Sequence, residues 1–220
     1  WTADDMLGWV YQYFNSEEKD RIFEEVKKKK KKITGEDIIP ATQVYTPKFM
    51  VQFLGENSVG SFWQQMYPDS KLHKCWRYFV PDPNETTRNP KPVKDITFLD
   101  PACGSGHFLL VAFDLFYQMY VAEGIVLKEE IPHYILTCNL HGIDIDRRAI
   151  QLSALNLYLK AKQYQPDFSM KSRNTAMNLV VADAVMMDGN KLDEFLAEVK
   201  GDKKLEELVK TIWTGLQNVR

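Results

Sequence analysis

The chain has 220 residues, of which 45% are hydrophobic, and a formal net charge of −2. This length allows one substantial α/β domain with an appended helical segment, and the near-neutral charge excludes the strongly basic class of nucleic-acid binders. The longest apolar stretch, residues 108–122, is interrupted by Asp114 and Gln118 and is too short to span a bilayer. We therefore expect a soluble protein without membrane contacts.

The three cysteines, Cys75, Cys103 and Cys138, are far apart in the chain. They show neither Cys-x-x-Cys spacing nor an arrangement with histidine that is typical of zinc sites. We predict a reducing, cytoplasmic setting and no metal centre. Because the sequence begins at Trp1 without a methionine, we also expect a trimmed piece of a longer protein.

Residues 1–40 are predicted to form a helical segment of two short helices. Asn15-Ser16 followed by Glu17 and Glu18 is typical of a helix start. The second helix ends in six consecutive lysines, residues 27–32, where the helix macrodipole favours positive charge. These lysines fit a solvated helix face or a contact to nucleic-acid phosphates, and the sequence leaves both open.

Residues 41–67 contain a further predicted helix, which runs from Pro47 to Gly55. Thr46 has the chemistry of an N-cap, with Pro47 at the first helical position. Residues 68–95 are rich in proline and charge, which predicts an exposed connecting arm. Aromatic residues such as Trp63, Trp76 and Tyr78 could serve a nucleic-acid surface, although burial is the commoner role for such side chains.

From residue 96 to residue 220 the pattern alternates between strands and helices. We predict strands over 96–100, 140–144 and 179–183, and helices over 106–120, 147–162, 191–200 and 202–213. This order is typical of a parallel sheet with right-handed crossovers. The first helix is apolar nearly all round and should be packed deeply. Between it and the second strand, residues 123–137 predict an insertion or an extended loop.

A glycine-rich turn, Asp-Pro-Ala-Cys-Gly-Ser-Gly, occupies residues 100–106 directly after the first predicted strand. Two glycines separated by one residue allow a sharp turn and close approach to a ligand. The predicted strands end in the acids Asp100, Asp144 and Asp183, and the carboxyl ends of parallel strands line one crevice. Any one of these acids could instead cap a helix. In the crevice, Asp144 would accept hydrogen bonds from ribose hydroxyls and Asp183 from an adenine amine.

A nicotinamide or flavin dinucleotide fits this pattern poorly. The turn lacks the third glycine of Gly-x-Gly-x-x-Gly, and Asp144 lies well beyond the spacing of about 20 residues that such sites use.

Four segments, in chain order, resemble the first four motifs of S-adenosylmethionine-dependent amino-group DNA methyltransferases of the N6-adenine type. They are Val-Tyr-Thr-Pro at 44–47, the ten residues 100–109 from Asp-Pro-Ala-Cys to His-Phe-Leu, Gly-Ile-Asp-Ile-Asp at 142–146, and Val-Ala-Asp-Ala at 181–184. The chain resembles the methylation subunits of restriction-modification systems and the PglX proteins of BREX phage defence. The resemblance implies a Rossmann-like methyltransferase fold. It also implies that the full-length protein acts on double-stranded DNA, alongside restriction or phage-defence subunits.

The resemblance also implies a site for S-adenosyl-L-methionine. Thr46 would hold the methionine carboxylate end of this cofactor. Its methionine and ribose portions would be lined by Asp100, Ala102, Gly104 and Gly106.

On the adenosine side, the resemblance implies that Asp144 binds the ribose hydroxyls and that Ile145 packs on the adenine. Asp183 and Ala184 would fix the adenine edge. His107 follows the second glycine and would lie beside the cofactor, but we do not expect it to be a catalytic base, because a helix N-terminus keeps histidine neutral.

The family's catalytic motif, Asn/Asp-Pro-Pro-Tyr/Phe, does not occur in the chain. In the family, its polar residue and a proline carbonyl accept hydrogens from the target amino group, and its aromatic ring stacks on the flipped base. Residues 89–92, Asn-Pro-Lys-Pro, lack the aromatic and precede the glycine turn. We therefore expect no catalytic residue here, a sheet truncated after its third strand, and a part that binds the cofactor without transferring its methyl group.

Two alternatives remain open from the sequence. One is a methyltransferase that acts on RNA or protein, since a cofactor pocket alone does not name the acceptor. The other is a non-catalytic DNA-binding or assembly subunit that retains the pocket. The Thr-Pro segment ahead of the glycine turn favours the order found in DNA amino-methyltransferases.

Overall fold

The computed structural model describes residues 6, 8, 10, 11, 13, 15–30, 33, 37–42, 46–82, 86–171, 176–182, 197 and 207. The chain divides into two units, Trp1–Ala182 and Asp183–Arg220. In the second unit Ala197 and Glu207 are helical, and the rest of the two helices predicted there lies outside the described residues. Among the helices that are described, none has the length and apolarity needed to cross a membrane.

The N-terminal part is helical, as predicted. The described residues between Met6 and Tyr13 are helical, and helix α1, Ser16–Lys29, follows. Acids occupy the first turn of α1 and lysines its last turn, so both ends complement the macrodipole. A five-residue helix α2, Ile38–Thr42, comes next.

A longer helical run begins near Thr46. It consists of helix α3, Lys48–Gly55, a π-helical turn, Glu56–Gly60, and helix α4, Ser61–Met66. The expectation that Thr46 caps α3 is wrong. Pro47 occupies the cap position with ψ of 139°, and no side chain caps this helix. Because Pro47 itself is extended and not helical, the helix begins one residue later than predicted.

The connecting arm, residues 68–95, contains two short 3-10 turns, Leu72–Cys75 and Val93–Asp95. Residues 80–82 and 86–90 are exposed, whereas Trp76 and Val93 belong to the core. The indole of Trp76 donates a hydrogen bond to the Gln118 side chain over 2.8 Å. Trp76 and Val93 therefore anchor the arm to the rest of the fold.

The sheet has three parallel strands in the order β1-β2-β3, where β1 is Phe98–Asp100, β2 is Leu140–Asp144 and β3 is Asn178–Val181. Asp100 pairs with Gly142, and Asp144 pairs with Val181, so the carboxyl ends of all three strands meet at one edge. This confirms the predicted parallel α/β arrangement.

Two long helices accompany the strands. Helix α5, His107–Glu123, follows β1 and is buried along most of its length, as expected. Helix α7, Arg147–Tyr164, follows β2. Their polar positions are paired with each other: the half-buried Asp114 of α5 forms an ion pair with the buried Lys160 over 2.8 Å and accepts a hydrogen bond from the Tyr164 hydroxyl.

The segment before β2 was predicted to be an insertion or an extended loop, and residues 124–130 form neither helix nor strand, but residues 131–139 are helical. It contains helix α6, Ile131–Tyr134, and a π-helical turn, Ile135–Asn139, with Ile131, Ile135 and Leu136 fully buried. Pro132 lies in the first turn of α6, where a proline starts a helix because its missing N–H has no partner there in any case. The proline that suggested a loop therefore marks a helix start.

A buried amide joins three parts of this core. The Asn139 amide donates to the carbonyls of Val93 and Ile96 over 2.8 and 2.7 Å, and its oxygen accepts from the Tyr120 hydroxyl over 3.0 Å. Asn139 and Tyr120 are both inaccessible to solvent. These bonds fix the entry to β1 against α5 and the start of β2.

We predict that Asn139→Ala lowers the free energy of unfolding by about 3 kcal/mol or more, because two buried carbonyls and a buried hydroxyl lose the hydrogen bonds that Asn139 provides. Tyr120→Phe removes only one of the three bonds and should cost about 1 kcal/mol. Urea denaturation followed by circular dichroism measures both. Equal stability of Asn139→Ala and the wild type would contradict this account of the core.

Candidate functional site

The glycine-rich turn that follows β1 lies against the end of β2. The Cys103 amide donates to the Ile143 carbonyl over 2.9 Å, and the Gly106 amide closes the turn on the Cys103 carbonyl over 2.8 Å. The first bond crosses from the turn to the neighbouring strand. The turn and the carboxyl end of β2 therefore form one continuous edge.

The Asp144 carboxylate joins the two loops at this edge. One oxygen accepts from the Gly104 amide over 2.8 Å, and the other accepts from the Asp146 amide over 2.8 Å. A carboxylate oxygen has lone pairs for more than one donor, so both oxygens can still accept from a ligand. The structure thus brings together Asp100, Gly104 and Asp144, as the sequence predicted for strand ends.

The two glycines of the turn serve different needs. Both have positive φ, 52° at Gly104 and 88° at Gly106, which side chains rarely tolerate. A Cβ on Gly106 would lie 2.5 Å from the Ser153 hydroxyl oxygen, so this glycine lets α7 pack against the turn. A Cβ on Gly104 would have no described atom within 4 Å. The Gly104 side of the turn is open.

Helix α7 supports the turn with polar side chains that the sequence reasoning missed. Ser153 and Asn156 are buried, and the Asn156 amide donates to the Ser105 carbonyl over 2.8 Å. Their sequence signal is their position: they lie three residues apart on the helix face that also carries Leu157 and Ala161.

Asp100 carries the least compensated charge of the site. Its Oδ1 accepts from the Ala102 amide over 3.1 Å, whereas its Oδ2 is buried and finds no hydrogen-bond partner among the residues that the structure describes. Burial raises the pKa of the Asp100 carboxyl, and the nearby charge of Asp144 raises it further, against the lowering effect of the Ala102 amide. A cationic ligand would stabilise the ionised form.

The Cys103 thiol beside these carboxylates is buried. Burial, followed by the charges of Asp100 and Asp144, raises the pKa of Cys103 to about 12. A thiol in this state is a poor nucleophile. Its Sγ instead packs near Gly142, where an added Cβ would lie 3.0 Å from it.

The acid Asp146 has the capping role that the sequence reasoning kept as an alternative for strand-end acids. Only 5% exposed, it caps α7 by accepting from the Arg148 amide over 2.9 Å. It also receives the Arg148 guanidinium and the Tyr11 hydroxyl. Although burial acts in the opposite direction, these hydrogen bonds keep the pKa of Asp146 below its ordinary value. The sequence offered no signal for Tyr11.

A pocket of about 260 Å³ adjoins Asp100. Its walls come from the helical run and from the β1 turn: Val51, Leu54, Gly55, Ser58, Phe98, Leu99, Asp100, Pro101 and Phe108. The helix that follows Thr46 therefore borders the same strand end as the glycine-rich turn.

The remaining predicted site residues are placed as follows. Thr46 is half-buried directly ahead of α3, Ala102 is exposed on the turn, and Ile145 is exposed just after β2. Asp183 and Ala184 lie outside the described residues, one and two positions beyond Ala182.

Comparisons with known proteins show that the chain is similar to methyltransferases. Residues 83–204 match the family described as MmeI, DNA-methyltransferase domain. The chain is 39% identical over 174 residues to the adenine-specific methyltransferase PglX of Lacticaseibacillus casei (strain Zhang), which covers 72% of this chain and 14% of that protein. It is 36% identical over 198 residues to the adenine-specific methyltransferase BrxX of Escherichia coli O9:H4 (strain HS), covering 86% of this chain and 16% of that protein. The chain thus spans less than a fifth of the length of either relative.

The Asp100 carboxyl yields a prediction about stability. Its raised folded-state pKa means that the folded chain binds the proton more tightly than the unfolded chain, so ionisation costs stability. The cost is absent below the ordinary carboxyl pKa, grows as the pH rises towards the folded-state value, and is complete above it. We expect Asp100→Asn to raise the melting temperature at pH 7.5. The rise should be about 2–4 °C for each kcal/mol by which the free energy of unfolding increases once the ionised group is removed.

Thermal denaturation from pH 4 to pH 8 measures this difference, which should shrink towards acidic pH. Asp167→Asn, at an exposed position, is the matched control and should leave the pH profile unchanged. A destabilising Asp100→Asn at pH 7.5 would show that the carboxylate is compensated in the folded chain.

Proposed function

Because the chain belongs to the family of MmeI DNA-methyltransferase domains, we propose that it is the S-adenosyl-L-methionine-binding part of a DNA adenine-N6 methyltransferase. The similarity to two adenine-specific methyltransferases supports adenine as the target base. The full-length protein would act on double-stranded DNA in a restriction-modification or phage-defence system, together with subunits of that system. The parallel order β1-β2-β3 supports a Rossmann-like methyltransferase fold.

The observation that carries the proposal is a buried Asp100 oxygen with no hydrogen-bond partner among the described residues, at the strand end that leads into the open turn at Gly104. S-adenosyl-L-methionine has a cationic amine and a sulfonium centre and supplies a methyl group to the acceptor. A buried carboxylate oxygen with no described hydrogen-bond partner suits the cationic end of such a molecule. The open side of Gly104 lets the backbone approach it closely. The residues present therefore fit this cofactor.

We assign roles to the remaining residues on the same basis. The Asp144 oxygens, already oriented by two backbone amides, would accept from the ribose hydroxyls. Ala102 and Gly106 would complete the methionine and ribose side, and Thr46 would hold the carboxylate end. Ile145 would pack on the adenine, and Asp183 with Ala184 would fix its edge.

The proposal limits this chain to binding. No Asn-Pro-Pro-Tyr or related catalytic motif occurs in the 220 residues. No side chain here is therefore assigned to hold the target amino group or to stack on a flipped base. Methyl transfer is proposed for the full-length protein.

We expect the 220-residue chain to bind S-adenosyl-L-homocysteine, the demethylated product, in isothermal titration calorimetry. Asp144→Ala should weaken this binding by about 10- to 100-fold, because it removes the acceptor of two hydroxyl hydrogen bonds. Asp167→Ala removes an exposed carboxylate far along the chain and is the matched control. Urea denaturation of each variant verifies that the fold is retained.

Absence of binding by the folded wild-type chain would contradict a self-sufficient cofactor site. A second assay follows tritium transfer from labelled S-adenosyl-L-methionine to DNA, RNA or protein. The isolated chain should transfer nothing, and the full-length protein should label adenine N6 in duplex DNA. Label in RNA or protein, or no label at all from the full-length protein, would instead support one of the two alternative functions.

A further inference from the structure

The N-terminal helical segment reaches the edge of the sheet where the candidate site lies. The Tyr11 hydroxyl donates a hydrogen bond to Oδ2 of Asp146, a residue 135 positions away in the chain. Tyr11 is half-buried and Asp146 is buried. A hydrogen bond from a neutral hydroxyl to a carboxylate is among the stronger kinds when it is shielded from water.

The orientation of this segment agrees with that contact. Gly8 is buried and Tyr11 half-buried, three residues apart and hence on the same helix face. Met6, Val10 and Tyr13 are exposed. Tyr11 therefore belongs to the face that the segment turns towards the protein.

Asp146 connects this contact with the candidate site through its backbone. Its backbone amide donates to Oδ1 of Asp144, while Oδ2 of Asp144 accepts from the Gly104 amide. The position of Asp146 thus determines where one of the two donors to Asp144 lies. Because Asp144 also accepts from the Gly104 amide, a shift of Asp146 would change the hydrogen bond at Gly104 as well.

Arg148 is the other side-chain partner of Asp146, and it is a weaker anchor. Its nitrogens lie 3.3 Å from the Asp146 oxygens, and its side chain is 60% exposed. Because the guanidinium is largely in solvent, water and salt screen its attraction to the buried carboxylate. Tyr11 therefore supplies the shielded contact that ties Asp146 to a second element.

We propose that Tyr11 is a positioning residue of the cofactor site: its hydroxyl holds Asp146 and thereby fixes Asp144 and the Gly104 turn in the orientation that receives the ribose. The part about ribose rests on the proposed function. The part about Asp144 and the turn does not, and it can be measured without a ligand.

The experiment compares Tyr11→Phe, which removes only the hydroxyl, with Tyr13→Phe, which removes the hydroxyl of a tyrosine that is 81% exposed. Amide hydrogen exchange in the ligand-free chain reports on the two donors to Asp144. We expect exchange at Gly104 and Asp146 to be at least fivefold faster in Tyr11→Phe. Amides in the middle of α5 should exchange as in the wild type, and Tyr13→Phe should change neither.

Calorimetric titration with S-adenosyl-L-homocysteine is the second readout. Tyr11→Phe should weaken binding by about five- to tenfold, and Tyr13→Phe should leave it unchanged.

The outcomes separate the two proposals. Wild-type binding with unchanged exchange and affinity in Tyr11→Phe would overturn the role of Tyr11 and leave the proposed function intact. Faster exchange at Gly104 and Asp146 in Tyr11→Phe, together with no binding by the wild type, would support the positioning of Asp144 by Tyr11. It would contradict the proposed binding of the cofactor. Exchange that rises equally throughout α5 would show a general structural role and also overturn the inference.

Discussion

The site depends on one carboxylate that holds two backbone amides. Asp144 accepts from Gly104 and from Asp146, each over 2.8 Å, and so ties the turn after β1 to the turn after β2. These two hydrogen bonds restrict the conformation of the Asp144 side chain. They also restrict the two turns that contain the Gly104 and Asp146 amides. Gly104, whose amide makes one of these bonds, has a positive φ of 52°, a conformation that glycine adopts more readily than other residues.

Three carboxylates lie close together at this edge, and the protein compensates them unequally. Asp146 has the Arg148 amide and guanidinium and the Tyr11 hydroxyl. Among the residues that the structure describes, Asp144 accepts from two backbone amides, whereas Asp100 accepts from the amide of Ala102 alone. The least compensated charge is thus the one next to the glycine-rich turn and the adjoining pocket. A fold that leaves such a charge in place accepts a loss of stability at a position where a cationic ligand can recover it.

The helices and strands of the sheet region could be predicted from the sequence because their apolar residues recur at regular spacings. Helix α5 is apolar on nearly every face, and the three strands are separated by helices of ordinary length. Single residues with two structural meanings were predicted less well. Pro132 starts a helix where it suggested a loop, and Pro47 takes the cap position expected for Thr46. The bond from Tyr11 to Asp146 joins positions too far apart for any local pattern to reveal.

The Gly-x-Gly pattern also illustrates how one motif can combine two unrelated constraints. Gly106 leaves room for Ser153, and Gly142 on β2 leaves room for the Cys103 sulfur, so this inner side of the turn is committed to packing. Gly104 and Ala102 face away from that packing, one with no described atom near its missing Cβ and the other exposed. Because the inner side is closely packed, the outer backbone has little room to move. A backbone that is already ordered loses little conformational freedom on binding, and this lowers the free-energy cost of binding the cofactor that we propose.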